Sequence, residues 1–278
     1  MIDDSAKTAL RGTRFEDLRW VESTGSTNAD LVAAARAGSG ECALVADHQS
    51  AGRGRLDRRW EAPPGASLLM SILVRAPFPA AGPSVLASAL GVAAVDVLRS
   101  RGGIGVGLKW PNDIVAPGAG PEGQDLKLGG LLAEFHSAIG GSAVGGSAIG
   151  GSGDAVVLGI GINLAWKDVG FPAELRSSAT AVDLLGGEVD RVELVVALLA
   201  AMDGVGELAT SSSACELLSR SYAERCVTLG RRVRIELPRG DLVGEAVGLD
   251  PSGALMVRDD ADVDHTVTVG DVVHLRPA

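Results

Sequence analysis

The chain is poor in the features that mark secreted, metal-stapled and membrane proteins. Its 278 residues include three cysteines and no Cys-x-x-Cys pair, which indicates neither a disulfide framework nor a zinc site. The first residues, Met1-Ile2-Asp3-Asp4, are acidic and lack the basic-then-apolar order of a signal peptide. The two most apolar stretches, residues 85–98 and 192–202, are too short to span a bilayer. We therefore expect a soluble, cytoplasmic protein without a membrane partner.

Positive charge is also scarce. The formal net charge is −10, and no long basic stripe offsets it, so the surface should repel nucleic-acid phosphates. We expect no DNA partner. Basic residues instead cluster locally, at residues 53–59 and 231–234, which favours a small anionic ligand over a polyanion. Hydrophobic residues make up 46% of the chain, enough for one large domain and a small one.

Residues 49–60, called here the arginine loop, form the most informative segment. They read Gln-Ser-Ala-Gly-Arg-Gly-Arg-Leu-Asp-Arg-Arg-Trp, with four arginines in an otherwise acidic protein. Glycine lets backbone N–H groups approach a ligand, and arginine supplies forked donors that stay charged at neutral pH. The loop is suited to holding a phosphate or a carboxylate. Read alone, it also fits a solvated surface turn.

Four further segments carry polar residues at the ends of predicted elements. Ser26-Thr27-Asn28 precedes a helix and offers free N–H groups there. Lys109-Trp110-Pro111-Asn112-Asp113 ends a strand, where ligands of open sheets often bind. Lys127-Leu128-Gly129-Gly130 starts a strand, and Gly159-Ile160-Gly161-Ile162-Asn163 ends one. Taken singly, these segments also fit a helix cap, an ordinary turn and close strand packing.

The remaining pattern predicts two domains, residues 1–225 and 226–278. The first alternates apolar strands with capped helices, and the second holds short β segments separated by turns, typical of a small barrel. A period-five Gly/Ser repeat over residues 138–152 is interpreted as an extension of a hairpin. Predicted strands cover residues 42–46, 67–74, 106–110, 127–135 and 155–164, and predicted helices cover residues 29–37, 84–99, 190–208 and 214–225.

Five segments resemble, in their order along the chain, the motifs of biotin–protein ligases, which attach biotin to carrier proteins. They are STN, QxxGRGRxxRxW, KWPND, KLGG and GIGIN. The resemblance covers residues 24–163. It implies an α+β fold, with a mixed-sheet catalytic domain of the biotin/lipoate ligase type followed by a small SH3-like β-barrel. One class of the family carries an N-terminal DNA-binding domain. Only about two dozen residues precede the first motif here, so we expect the short form without it.

The resemblance also implies roles for individual residues. Lys127, Arg55 and Asp113 would be catalytic, with Asp113 near Mg²⁺ and a candidate to accept or orient the proton of the attacking amine. ATP and biotin would be substrates, and the carrier would be the biotin carboxyl carrier domain of an acyl-CoA carboxylase. The biotin site would comprise Ser26, Thr27, Asn28, Gln49, Gly52, Arg53, Gly54, Arg55, Lys127 and Gly130. The ATP site would comprise Arg53, Arg55, Lys109, Asn112, Asp113, Lys127 and Asn163.

The chemistry of the residues fits adenylation. A carboxylate and the α-phosphate of ATP repel one another, so a site that joins them needs concentrated positive charge, which Lys127 and the arginines supply. Three other interpretations stay open. A lipoate ligase shares the chemistry and fold type, and a biotin-responsive binding protein or repressor needs no catalysis. A generic phosphate-binding module could use the arginine loop alone, although the Walker pattern is missing.

Overall fold

The computed structural model describes residues 4–56, 58–78, 82, 84–137, 154–209, 211–237, 240–268 and 270–275. The Gly/Ser repeat predicted over residues 138–152 lies outside them. The helices are α1 Asp4–Ala9, α2 Thr27–Arg36, α3 Ser84–Ser100, α4 Arg191–Asp203 and α5 Ser212–Arg225. The strands are β1 Leu18–Thr24, β2 Cys42–Gln49, β3 Ser67–Arg75, β4 Gly107–Lys109, β5 Asp113–Ala116, β6 Leu126–His136, β7 Ala155–Asn163, β8 Arg232–Glu236, β9 Leu242–Leu249, β10 Leu255–Asp259, β11 Asp264–Val267 and β12 Asp271–His274.

A seven-stranded mixed sheet forms the large unit, in the order β1-β2-β3-β7-β6-β5-β4. Strand β1 pairs parallel to β2, and the other neighbours are antiparallel. The central strands β3 and β7 pair along their whole length, with Ser67 opposite Asn163 and Ser71 opposite Gly159. This register puts the ends of the polar and glycine-rich motifs on neighbouring strands at the centre of the sheet.

The two faces of this sheet have different partners because successive side chains of a strand point to opposite sides. On one face Leu68, Met70 and Ile72 of β3 join the main core with α3 and α4. On the other face Leu73 of β3 packs with α2, in a second cluster. Helix α2 covers only part of that second face. The remainder, near the N-terminus of α2, is where the sheet carries glycine and polar side chains.

The small unit is a five-stranded antiparallel sheet in the order β11-β10-β9-β8-β12. Its inward positions alternate along the strands, as in Val233 and Ile235 of β8, which are both fully buried. The fold class predicted from the sequence, a mixed-sheet α+β unit followed by a small β unit, is confirmed. Among the residues that the structure describes, no helix has the length and apolar character needed to cross a membrane.

Most predicted elements are present, but the structure differs from the prediction at α1, β1, β5 and the helix expected over residues 190–208. Helix α1 and strand β1 were not predicted, and neither was β5, which begins at Asp113 inside the turn expected to end the preceding strand. The helix expected over residues 190–208 begins correctly, with Asp190 accepting a hydrogen bond from the Glu193 amide. Its α-helical part ends at Asp203, and residues Gly204–Ala209 continue as a 3-10 helix. None of these differences moves a predicted site residue away from the centre of the sheet.

Candidate active site

A cavity of about 520 Å³ lies on the uncovered part of the sheet, between the N-terminus of α2 and the arginine loop. Its floor comes from β3, β6 and β7, and the small unit closes one side with residues of β8 and β12. The predicted site residues that line it are Ser26, Thr27, Asn28, Gln49, Arg53, Gly54, Arg55, Lys109, Asn112, Asp113, Lys127, Gly130 and Asn163. The five motifs, scattered along the chain, therefore meet in one cavity.

At one end of the cavity, buried polar side chains surround the start of α2. Ser26 is the N-cap, and its hydroxyl accepts from the Ala29 amide. The amide and hydroxyl of Thr27 both donate to Gln49 Oε1, at 2.7 and 3.0 Å. The Thr27 hydroxyl also lies 2.7 Å from that of Ser71. Because these donors and acceptors are fixed by one another, this end is a pre-arranged site for a polar ligand group.

Asn28 continues the same network toward the arginine loop. Its Oδ1 accepts from the Ser71 hydroxyl, and its Nδ2 donates to Glu134 Oε2 at 2.8 Å. The Asn28 side chain lies over Gly159, where an added Cβ would approach Asn28 Oδ1 to 2.2 Å. A side chain at position 159 would therefore displace Asn28. The first glycine of the GIGIN motif makes room for the polar network.

Glycine also brings an aromatic ring onto the floor of the cavity. A Cβ added to Gly161 would lie 2.6 Å from the indole of Trp60, and one at Gly130 would lie 3.4 Å from it. The Trp60 indole N–H is buried and has no hydrogen-bond partner among the described residues. Trp60 thus forms an apolar wall beside the polar end. Trp110, the other tryptophan of the motifs, is almost fully buried and packs in the main core.

At the other end of the cavity an ammonium and a carboxylate meet. Lys127 Nζ lies 2.6 Å from Asp113 Oδ1, and both side chains are partly exposed. The backbone of Lys127 is fixed by two hydrogen bonds, to the carbonyl of Ser178 and from the amide of Thr180. Lys127 Nζ also lies 5.8 Å from the centre of the Trp60 ring. Strands β5 and β6 therefore present a cation and an anion at one fixed place.

The arginines reach the cavity in different ways. Arg53 donates to both oxygens of Glu134, at 3.0 and 2.9 Å. Arg55 donates to Asn112 Oδ1 at 2.9 Å, and Asn112 in turn donates to the Leu131 carbonyl. Arg58 pairs with Asp271 of the small unit. Each guanidinium is held by a partner before any ligand is present, which reduces the ordering needed when one binds.

Two predicted residues contribute differently from the rest. Gly52 is buried and is not one of the residues lining the cavity; a Cβ there would lie 2.3 Å from the Trp60 carbonyl. Its contribution is to close the arginine loop. Asn163 lines the cavity, but its side chain accepts from Ser67 and donates to the Thr180 carbonyl. Asn163 therefore supports the neighbouring segments through its amide group.

Sequence reasoning missed Ser71, Glu134 and Asp271. Each is one polar residue in a strand, and its significance comes from partners 43, 81 and 213 positions away along the chain. A polar residue inside the largely apolar, buried strand β3 could have pointed to Ser71, which shares a face with Ser67. No local signal distinguishes Glu134 or Asp271 from an ordinary exposed carboxylate.

The geometry suits a ligand with a polar head, an apolar body and an anionic end. Lys127 contacts Asp113, Lys109 lies opposite Asp113 in the sheet and Arg55 bonds the adjacent Asn112, so positive charge collects at that end. Arg53 also lines the cavity, where it bonds Glu134. Among the residues that the structure describes, no three His, Cys, Asp or Glu side chains converge on a common metal position. A divalent cation held by Asp113 would therefore complete its shell with ligand phosphates and water, which is the usual arrangement for Mg²⁺.

Comparisons with known proteins give a consistent result. Residues 21–163 match the family described as the Biotin/lipoate A/B protein ligase family, and residues 228–275 match the Biotin protein ligase C terminal domain. The chain is 35% identical over 273 residues to the biotin–[acetyl-CoA-carboxylase] ligase of Mycobacterium tuberculosis, covering 95% of this chain and 91% of that protein. It is 30% identical to the bifunctional ligase/repressor BirA of Bacillus spizizenii, over 77% of this chain and 60% of that protein.

Solved structures agree on the fold. The biotin protein ligase from Aquifex aeolicus in complex with biotin and ATP superposes with a TM-score of 0.70. The match covers 95% of this chain and all of that one, at 24% identity. Similarity at this level of identity concerns the fold, which both chains share from the mixed sheet to the small β unit.

Proposed function

This chain belongs to the biotin/lipoate A/B protein ligase family, and from this premise we propose how its cavity activates and transfers biotin. It is an ATP-dependent biotin–protein ligase that acts on acetyl-CoA carboxylase. One observation carries the proposal: a single cavity joins a fixed polar cluster at Thr27 and Gln49 to a lysine–aspartate pair at its other end. The first suits a neutral polar ring, and the second suits the reacting carboxylate and phosphate.

In the first half-reaction, a carboxylate oxygen of biotin attacks the α-phosphorus of ATP. The bond to pyrophosphate breaks, and biotinyl-5'-AMP forms. We place Lys127 between the two anions, where its ammonium offsets the repulsion that otherwise keeps them apart. Arg53 and Arg55 add charge-assisted hydrogen bonds from the arginine loop. The support is that both arginines line the cavity and that Arg55 bonds Asn112, the neighbour of Asp113.

Biotin itself would lie with its ring at the polar end. Ser26, Thr27, Asn28 and Gln49 supply donors and acceptors there, and Trp60 on the glycine floor supplies the apolar wall. Gly54 and Gly130 complete the lining. The nucleotide would lie toward Lys109, Asn112 and Asp113, with Asn163 supporting the floor beneath it. Gly52 acts on this site through the shape of the arginine loop.

Mg²⁺ fits this arrangement as an ion that arrives with ATP. Asp113 is the carboxylate that would hold it, together with phosphate oxygens and water. When bound, the ion neutralises phosphate charge. Asp113 also contacts Lys127, so the same carboxylate keeps the lysine in place.

In the second half-reaction, the neutral amine of a carrier lysine attacks the acyl carbon of the intermediate. The bond to AMP breaks, AMP leaves with the electron pair of that bond, and Asp113 would accept or orient the amine proton. Water must be excluded until then, because the mixed anhydride hydrolyses. The arginine loop covers the cavity, and its contact with the small unit through Arg58 and Asp271 supports a role in that exclusion.

Three finer points belong to the same proposal. The carrier lysine would be that of a biotin carboxyl carrier domain. The compartment would be the cytoplasm, consistent with the free state of Cys42, Cys215 and Cys226. The catalytic domain would span residues 1–225 and the C-terminal domain residues 226–278, supported by the end of α5 at Arg225.

The test uses the protein with ATP, Mg²⁺ and an apo carrier domain, and either labelled biotin or labelled lipoate. We expect label on the carrier with biotin and none with lipoate. Label from lipoate alone would identify a lipoate ligase. Bound biotin without pyrophosphate exchange or labelled carrier would identify a binding protein.

A further inference from the structure

A chain of hydrogen bonds joins the small unit to the segments that lead into β5 and β6, the strands that carry the lysine–aspartate pair. His274 of β12 is at its centre. His274 Nδ1 lies 2.9 Å from Asp125 Oδ2, and its Nε2 lies 3.1 Å from the hydroxyl of Thr228. The Thr228 hydroxyl accepts from the backbone amide of Trp110 at 3.1 Å. Asp125 also accepts from Arg231 and from the Gly118 amide.

Two groups lie near Nδ1 of His274: Asp125 Oδ2 at 2.9 Å and Arg231 Nη1 at 3.1 Å. Arg231 donates to the Asp125 carboxylate at 2.8 Å, and Asp125 can only accept, so we assign the proton of His274 to Nδ1, which donates to Asp125. Nε2 then accepts from the Thr228 hydroxyl, which leaves the Thr228 oxygen to accept from Trp110. A neutral imidazole completes this chain without an unsatisfied group. Burial, with the positive charges of Lys109 and Arg231, lowers the pKa of His274 to about 4, although Asp125 acts in the opposite direction.

The two ends of the chain lie beside the reacting groups. Asp125 immediately precedes β6 and lies two residues before Lys127. Trp110 begins the turn that leads to Asn112 and Asp113. The indole N–H of Trp110 donates to the carbonyl of Gly253, and its backbone N–H donates to Thr228. The small unit therefore binds both N–H groups of Trp110.

We propose that His274 is a positioning residue for adenylation: through Asp125 and Thr228 it holds the start of β6 and the Trp110 turn at the separation that brings Lys127 to Asp113. This inference rests on the proposed function. It gives the small unit a role in the chemistry, although His274 is not among the residues that line the cavity. Loss of the chain leaves the polar end intact, since Thr27, Gln49 and Ser71 share no partner with it.

The test is steady-state biotin-dependent ATP–pyrophosphate exchange by the whole protein. Thr228→Val keeps the shape of the residue and removes the hydroxyl that joins His274 to Trp110. We expect kcat to fall about tenfold, because misplacement by ~1 Å can cost up to ~10²-fold. The dissociation constant for biotin, measured without ATP, should stay within about twofold. Thr228→Ser restores the hydroxyl and should restore most of kcat.

A matched control comes from the same small unit. His265 pairs with Asp259 inside it, away from the Trp110 turn, so His265→Ala should leave exchange unchanged. The double variant Thr228→Val/His274→Ala should be about as slow as the slower single variant, because both changes interrupt one chain. If Thr228→Val does not fold, His274→Asn keeps a donor toward Asp125, removes the acceptor for Thr228 and serves in its place.

Three results would overturn the inference: unchanged kcat in a folded Thr228→Val, equal loss in Thr228→Ser, or an equal loss of biotin affinity and kcat. The last would indicate general damage to the cavity. Failure of the proposed function looks different, since the unmodified protein would then show no biotin-dependent exchange.

Discussion

At the scale of single residues, the cavity is organised before any ligand enters. Lys127 has Asp113, Arg53 has Glu134 and Arg55 has Asn112 as fixed partners. These contacts orient the cations and offset part of their mutual repulsion. Charges that are already in place stabilise a transition state without a reorganisation cost at the moment of reaction. The partners of the cations are therefore part of the site as much as the cations themselves.

Lys127→Ala tests whether the cation at this end of the cavity stabilises the transition state. We expect the rate of biotin-dependent ATP–pyrophosphate exchange to fall by ~10²–10³-fold, the usual cost of removing one such donor. Biotin binding at the polar end should weaken much less. The same change at an exposed lysine of α1, Lys7→Ala, serves as the control. Exchange near the unmodified rate in Lys127→Ala would remove this lysine from the chemistry.

At the scale of elements, the arginine loop is a short hairpin closed by backbone contacts. Arg53 and Arg59 form an isolated antiparallel bridge, the Gly54 amide donates to the Arg58 carbonyl, and the Trp60 amide donates to the Gly52 carbonyl. The loop is attached to the sheet through Trp60 and to the small unit through Arg58. A change that opens its base should therefore affect the whole cover of the cavity.

Gly52→Ala is the smallest such change. The new Cβ would meet the Trp60 carbonyl at 2.3 Å and Gln49 Nε2 at 2.9 Å, so the base of the loop must move. We expect biotinyl-5'-AMP to escape and hydrolyse about tenfold faster in the absence of carrier, as AMP formed per enzyme, since loop closure is what excludes water.

Gly40→Ala is a suitable comparison, because a Cβ there meets nothing within 4 Å. Retention of the intermediate in Gly52→Ala at the level of Gly40→Ala would show that the loop does not control its release.

The sequence predicted elements well where their signals are local. Ser26 and the alanine-rich run indicated α2, and apolar runs indicated β3 and β7. It predicted poorly where pairing is long-range. Strand β1 has no continuous buried run, because it lies at the edge of the sheet with polar residues on both sides. Glu134 and Asp271 acquire meaning only from arginines that the fold brings beside them.

At the scale of the whole molecule, the two units form one site. Four residues of the small unit line the cavity: Glu236, Asp271, Val272 and Val273. The Val227 amide donates to the Leu108 carbonyl, and Leu108 forms a parallel bridge with Cys226, so the units are joined by backbone as well as side chains. Separation of the units would open the cavity and expose the buried ionisable groups between them. Their titration should therefore be visible in the stability of the folded protein.

His274 gives the clearest expectation, because its pKa falls from 6.5 to about 4 on burial. As the pH falls below 6.5, the imidazole of His274 takes up a proton in the unfolded chain, whereas in the folded protein it stays neutral down to about pH 4. The stabilising contribution is therefore complete above pH 6.5 and is lost as the pH falls toward 4.

Between pH 7.5 and 5, the free energy of unfolding should fall by about 1–2 kcal/mol more in the unmodified protein than in His274→Asn. Urea unfolding at several pH values measures this difference.

The titration of Asp125 does not overlap the pH range in which His274 changes the free energy of unfolding. Burial alone would raise the pKa of its carboxyl, but the Gly118 amide and Arg231 outweigh that effect and lower it from 3.8. Its contribution is present above pH 3.8 and is lost only as the pH falls further, below the range of the His274 effect. Parallel pH profiles for the unmodified protein and His274→Asn would mean that the imidazole is protonated in the folded state, and the neutral chain from Asp125 to Trp110 would have to be abandoned.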